Sequence, residues 1–299
     1  MDLTLATIAA MCRQEESGYL VVDSLKHQQQ QHLSRSSLPS HLAAQMIDEE
    51  CRTKMAGWCY QVVDFCKFHR ETVEIAMNFL DRYVCTPAGH AAFLDRKVYQ
   101  LAAMTCLYTA VKIHEPEAMD PNLVSNLSRG TYTPAQIEQM EASILMALQW
   151  RVNPPTALAF VRQFLELIPD TVMGDSMRQT VYDLTKYQTE LAVNEYDFMT
   201  VRSSTVAFCS LMNSLESVGI NDKILLQIGN GLSQSIGLYG CHQNDSVLDI
   251  QNWLYEAVVR QPIVGGTVMM TLHPPARSQD KPHRRSSFEV SPRSISSMR

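Results

Sequence analysis

The sequence predicts an all-α protein: two tandem five-helix bundles, preceded by a flexible arm and followed by a disordered basic tail. Three observations carry this. Apolar residues recur every three to four positions from about residue 40 to residue 260, and no segment of useful length alternates with the period of two that a strand requires. A second helical set then follows Pro154-Pro155 in the order of the first. The third helices of the two sets overlay at an offset of 105 residues, where Phe93 meets Phe198, Lys97 meets Arg202, Leu101 meets Val206 and Ala102 meets Ala207.

Residues 1–39 are weakly patterned. The polar run His27–His32, followed by Ser34-Arg35-Ser36-Ser37-Leu38-Pro39, reads as a mobile arm. Ser40 is a good N-cap, and the first unit runs from there to residue 153. Its first helix carries Ile47, Cys51, Met55, Trp58, Val62 and Phe65 on one stripe. A second begins near Arg70-Glu71, turns Ile75, Phe79, Leu80, Tyr83 and Val84 inward, and is broken by Pro87-Ala88-Gly89. The third, Arg96–His114, is apolar or small on every side from Leu101 to Val111. Such a helix must be surrounded by others, and its alanines and threonines let them approach. Asp120-Pro121 starts a short fourth helix. Thr133-Pro134, an N-cap with proline at N1, starts a fifth that carries Ile137, Met140, Ile144, Leu145 and Leu148. The second unit, 154–260, reads as helices over Thr156–Leu167, Asp175–Val193, Met199–Glu216, Asp222–Ile236 and Ser246–Arg260. Periodicity is lost over 261–299, where Gly265-Gly266, Pro274-Pro275 and Arg284-Arg285-Ser286-Ser287 describe a disordered tail.

Composition bounds the function. Hydrophobic residues make up 45% and charged residues 19% of the 299, a globular mix. The tail holds six basic residues against two acidic ones, a net +4; with −6 for the whole chain, residues 1–260 carry −10. A protein built to hold DNA or RNA would show a basic face instead, so no direct nucleic-acid contact is expected. The eight cysteines (Cys12, Cys51, Cys59, Cys66, Cys85, Cys106, Cys209 and Cys241) form no CxxC, and most fall within apolar helical patterns, so reduced thiols of an intracellular protein are expected. The N-terminus lacks a basic n-region, which argues against a signal peptide. The longest uncharged apolar run in a helical setting, Val98–Val111, has 14 residues, too few to cross a bilayer; no membrane partner is expected.

Chemistry-bearing motifs are missing. The nine histidines (His27, His32, His41, His69, His90, His114, His242, His273 and His283) include no HExxH pair, and Cys66-Lys67-Phe68-His69 has no second pair at zinc-finger distance. There is no GxGxxG, GxxxxGK[ST] or GxSxG, and Gly229-Asn230-Gly231 lies within a predicted helix. No cofactor, metal site or catalytic residue is expected, so function should reside in the surface.

Five polar residues of the first unit sit where packing alone does not require them: Arg52, Asp81, Gln100, Lys112 and Glu141. Arg52 with Trp58 resembles the opening R-x5-W of the cyclin box, and Asn78–Tyr83 its N-Y-L-D-R-F segment. Leu101–Lys112 resembles its L-x-x-x-x-x-L-x-x-A-x-K helix, and Lys112–Glu115 the K-F/Y-E-E ending. Tyr132–Glu141 resembles the fifth-helix Y-T-x-x-x-I-x-x-M-E. The resemblance spans about residues 46–150, five motifs in order, and implies two tandem cyclin folds; the second unit resembles one only in helix count and apolar pattern.

The resemblance implies a non-catalytic regulatory subunit that binds and activates a cyclin-dependent kinase to control cell-cycle progression. It implies a structural ion pair between Arg52 and Asp81, and kinase contact by Lys112, Glu141 and Glu115. It implies a groove for kinase substrates or inhibitors from Cys51, Met55, Trp58, Gln61 and Gln100, in which Gln61 replaces the usual acidic residue and Asp64 is the nearest carboxylate. A nuclear, and also cytoplasmic, location follows from the family. Ser286, Ser287 and Ser291, in basic or Ser-Pro settings, are candidate phosphorylation sites, where phosphate would lower the tail's charge. Arg35–Leu38 fits the R-x-x-L core of a destruction box. L-x-C-x-E is absent after Cys12, while Ala76–Arg82 looks nearest to D-type or plant-like mitotic cyclins. Other readings of a twin five-helix chain are a TFIIB-like or retinoblastoma-like adaptor, against which the acidic body and the lack of long insertions argue, and a transcription or phosphate-signalling cyclin.

Overall fold

The computed structural model describes residues 2–23, 46–237 and 247–260, and every regular element among them is helical. The chain begins with α1 (Asp2–Gly18). In the first unit, α2 (Glu49–Cys66) starts on Asp48, whose carboxylate accepts the Cys51 N–H at 2.9 Å. α3 (Glu71–Val84) and the short α4 (His90–Leu94) follow. α5 (Arg96–His114) is capped by Asp95, which accepts the Lys97 N–H at 2.7 Å. α6 (Pro121–Leu127) starts on Asp120, and α7 (Pro134–Ala147) on a capping box between Thr133 and Gln136. The second unit comprises α8 (Ala157–Glu166), α9 (Asp175–Asn194), a 3-10 turn (Tyr196–Phe198), α10 (Ser203–Ser217), α11 (Asp222–Ser235) and α12 (Val247–Arg260).

α5 is the axis of the first core, packed by α2, α3, α4, α6 and α7. Ala102, Ala103 and Ala110 are buried where these helices approach. The buried Thr105 and Thr109 hydroxyls return to α5's own carbonyls at 2.8 and 2.9 Å, so neither strands a polar group in the core. α10 plays the same part in the second core, around Phe160, Phe164, Leu211 and Leu215. The units are joined along α9: Arg70 Nε meets Glu190 Oε2 at 2.7 Å, and the Tyr60 hydroxyl donates to the Glu190 carbonyl at 3.2 Å.

The structure corrects four expectations. The segment read as a mobile arm holds α1, whose Ile8 is wholly buried in the second core, whose Glu15 is buried, and whose last turn is bound by Arg151 through the Ser17 carbonyl at 2.7 Å. Arg151 lies directly against Gly18, where a Cβ would have to displace its guanidinium. Phe65, assigned to the inward stripe of α2, is 78% exposed, because it points away from the core that Val62 and Val63 enter and Cys66 packs against on the same turn. Pro87-Ala88-Gly89 breaks α3 as expected but also leads into α4, with Gly89 pressed against the Tyr83 carbonyl where no side chain fits. α10 starts at Ser203 rather than Met199, because the 3-10 turn and an extended Arg202 intervene. The Ser40 cap, the destruction-box tetrapeptide, Cys241, the tail and Ser286, Ser287 and Ser291 lie outside the described residues.

Candidate functional site

Lys112 and Glu141 meet at the surface where α5 ends beside α7. Lys112 Nζ lies 3.1 and 3.2 Å from the two carboxylate oxygens. The arrangement is asymmetric: the Lys112 side chain is 50% exposed and that of Glu141 11%. Nζ also sits 5.5 Å from the centroid of the Tyr108 ring. Glu141's hydrogen bonds hold the lysine in its charged form, raising its proton affinity against a smaller effect of burial. Glu141 and Tyr108 therefore fix a cation that still faces outward.

The ends of α5 and α7 also leave large apolar side chains exposed. Ile113 is 43% exposed, Met146 73% and Trp150 68%. His114 Nε2 lies 2.8 Å from the Val152 carbonyl, which ties the chain after α7 to the end of α5. Gln149 and Trp150 both adopt left-handed backbone, with φ of 52° and 58°, a conformation a bulky side chain rarely takes. The sequence reading missed these three residues. The available signal was a tryptophan set in the polar turn Gln149-Trp150-Arg151 with no stripe to join.

Glu115 is not part of this face. Its side chain is 2% exposed and turns back to the start of α3. It accepts the His69 N–H at 2.9 Å and the Thr72 hydroxyl, and its other oxygen lies 2.8 Å from His69 Nδ1. α3 has no side-chain cap of its own; Glu115 anchors its start from outside the helix, through the Thr72 hydroxyl and the N–H of the preceding His69. The resemblance implied a kinase contact for Glu115; the structure shows its carboxylate engaged by His69 and Thr72.

Arg52 and Asp81 form a two-pronged pair, Nε to Oδ1 at 3.0 Å and Nη2 to Oδ2 at 2.8 Å, with each side chain 6% exposed. Arg52 Nη1 donates to the Val193 carbonyl at 3.0 Å, so the pair joins α2, α3 and α9. Burial works against the Arg52 charge, and Asp81 outweighs it.

The residues expected to form a docking groove are mostly spoken for. Met55 is a core residue, and the Gln100 amide oxygen accepts from the Tyr132 hydroxyl at 3.0 Å. Asp64, the nearest carboxylate, is held by Arg70 at 2.6 Å. Cys51 and Trp58 are half-buried against the core, which leaves Gln61 exposed.

Among the described residues no cluster of three or more His, Cys, Asp or Glu could hold a metal ion, and no helix is long and apolar enough to cross a membrane. Burial pushes the Cys59 thiol up to about 12 and the Cys12 thiol to about 11, which makes both poor nucleophiles.

Residues 21–153 match the family described as cyclin, N-terminal domain. The chain is 27% identical over 165 residues to Cyclin-A1-4 of Oryza sativa subsp. japonica, covering 55% of this chain and 44% of that protein. It is 28% identical over 194 residues to the G2/mitotic-specific cyclin-B1 of Oryzias javanicus, covering 64% and 45%. The match thus spans under half the length of these curated relatives. A viral cyclin from Herpesvirus saimiri shares the fold, with a TM-score of 0.53 at 17% identity over 71% of this chain and 87% of that one.

Proposed function

Because residues 21–153 match the cyclin N-terminal domain family, we propose that this chain is a cyclin, the regulatory subunit of a cyclin-dependent protein kinase in the cell cycle, bound through the Lys112–Glu141 face. One observation carries the reading: a half-exposed lysine pinned by a nearly buried glutamate at the surface where α5 ends beside α7. A cation fixed before the encounter loses little freedom on binding, and the adjacent exposed Ile113 adds apolar area that favours association. The chain brings no catalytic group. Its contribution is binding energy that differs between two kinase conformations, favouring the one in which the αC glutamate pairs with the strand-β3 lysine.

Affinity capture from cell extract tests this with wild type, a Lys112→Ala/Glu141→Ala double variant and Glu115→Gln, each eluate assayed for kinase activity on histone H1. Wild type and Glu115→Gln are expected to retain an active cyclin-dependent kinase. The double variant should lose at least about tenfold, the scale of a central contact. Equal capture by the double variant would refute the contact residues, and no kinase with wild type would refute the function.

A further inference from the structure

Among the described residues three arginines are buried: Arg52, Arg82 and Arg202. Arg52 is paired with Asp81, and Arg202, just before α10, reaches Glu16 of α1 at 3.1 Å. Arg82, in the last turn of α3 and 9% exposed, forms no ion pair with a described residue. Its Nη1 donates to the Asn78 amide oxygen at 3.2 Å and to the Arg151 carbonyl at 2.9 Å, and its Cζ lies 4.7 Å from the centroid of the Tyr19 ring. All three partners are neutral. Nε and Nη2 have no hydrogen-bond partner among the described residues. A cation buried without a counter-charge is costly, which marks Arg82 out from the other two.

A second cation shares the place. Arg151, exposed in the turn after α7, is steadied by Nη1, which donates to the Ser17 carbonyl at 2.7 Å, and it too forms no ion pair with a described residue. Both arginines line a groove of about 240 Å³ between α3, the end of α7 and the segment after α1, together with Gln149, Leu20 and Val22. Leu20 is 45% and Val22 60% exposed. Burial is the main cause lowering Arg82's proton affinity; Tyr19 opposes it, the charge of Arg151 adds to it, and no carboxylate contributes. The guanidinium stays charged all the same. What the groove lacks is an anion.

We propose that this groove takes the phosphate of a phosphoserine or phosphothreonine peptide, held between Arg82 and Arg151. Guanidinium forks match phosphate oxygens, and Arg82 has Nε and Nη2 to give without breaking its present bonds. A phosphate near its dianionic form balances two cations, which a single carboxylate does not. Leu20 and Val22 offer apolar walls to the residues flanking the phosphorylated one. The inference rests on the groove alone and is independent of the kinase reading.

Fluorescence anisotropy with the purified full chain tests this, using a labelled Ala-Val-phosphoserine-Val-Ala peptide and its unphosphorylated counterpart. Wild type should bind the phosphopeptide at least about tenfold more tightly than the counterpart, and inorganic phosphate should compete for the site. Arg151→Ala should weaken phosphopeptide binding at least about tenfold, the scale of a hydrogen bond to a charged group. Arg82→Lys, which keeps the charge but gives up the fork, should also bind more weakly. Lys223→Ala removes an exposed cation of α11 that does not line the groove, and should bind as wild type does. No preference of wild type for the phosphopeptide overturns the site. So does unchanged affinity in Arg151→Ala, or an equal loss in Lys223→Ala. If Arg82→Lys fails to fold, Arg151→Ala, at an exposed position, decides alone.

Discussion

Asp81→Ala is expected to lower the unfolding free energy by about 3–5 kcal/mol, because it strands the Arg52 guanidinium in an interior where 6% of its side chain reaches water. The Val193 carbonyl would remain as a partner, but a single neutral acceptor does not balance a buried cation. The double variant Arg52→Met/Asp81→Leu removes both charges and should recover most of the loss, since a buried ion pair contributes little net stability over apolar groups of similar size. Lys112→Ala is the contrasting case. Its lysine is half exposed, so the pair with Glu141 should contribute no more than about 1 kcal/mol. Urea unfolding of the four proteins checks the set. A cost below about 1 kcal/mol for Asp81→Ala would show that the junction of α2, α3 and α9 tolerates a lone charge.

Ile8→Ala should cost about 2–5 kcal/mol, the range for truncating a wholly buried aliphatic side chain. Leu3→Ala, five residues earlier on the same helix and 81% exposed at Leu3, should change stability by no more than about 0.5 kcal/mol. The contrast is what α1 predicts and a mobile arm does not, because in a mobile arm both substitutions are neutral. Thermal unfolding of both variants separates the two pictures. Ile8 packs among second-unit residues, so the loss should appear in the unfolding of that unit.

What the sequence made legible follows the local physics. The starts of α5, α6, α7 and α8 coincide with Asp95, Asp120-Pro121, Thr133-Pro134 and Thr156, where a side-chain oxygen meets the exposed N–H groups of a first turn. α5 could be placed at the centre because a helix apolar on all sides has no other place to be. Lys112 and Glu141 were legible through ordered motifs rather than periodicity, and the fold brings them together across 29 residues. α1 was missed because the polar run beginning at His27 lent its character to the whole arm, although Ile8 and Cys12 already stood four apart. Contacts between distant elements left no local mark. Nothing near Glu115 announces that it bonds to Thr72 at the start of α3, and Glu74 precedes the buried Ile75 as an ordinary helix-surface acid, with no local sign that it accepts the Ala157 N–H.

Titrating the purified chain into purified cyclin-dependent kinases, with phosphate transfer to histone H1 as the readout, tests the central claim most directly. Wild type should stimulate at least one kinase saturably at one-to-one stoichiometry. The Lys112→Ala/Glu141→Ala double variant, checked to unfold near the wild-type midpoint, should need at least about tenfold more protein for the same stimulation. No stimulation by wild type across the kinases, or superimposable curves for the two proteins, would contradict the account.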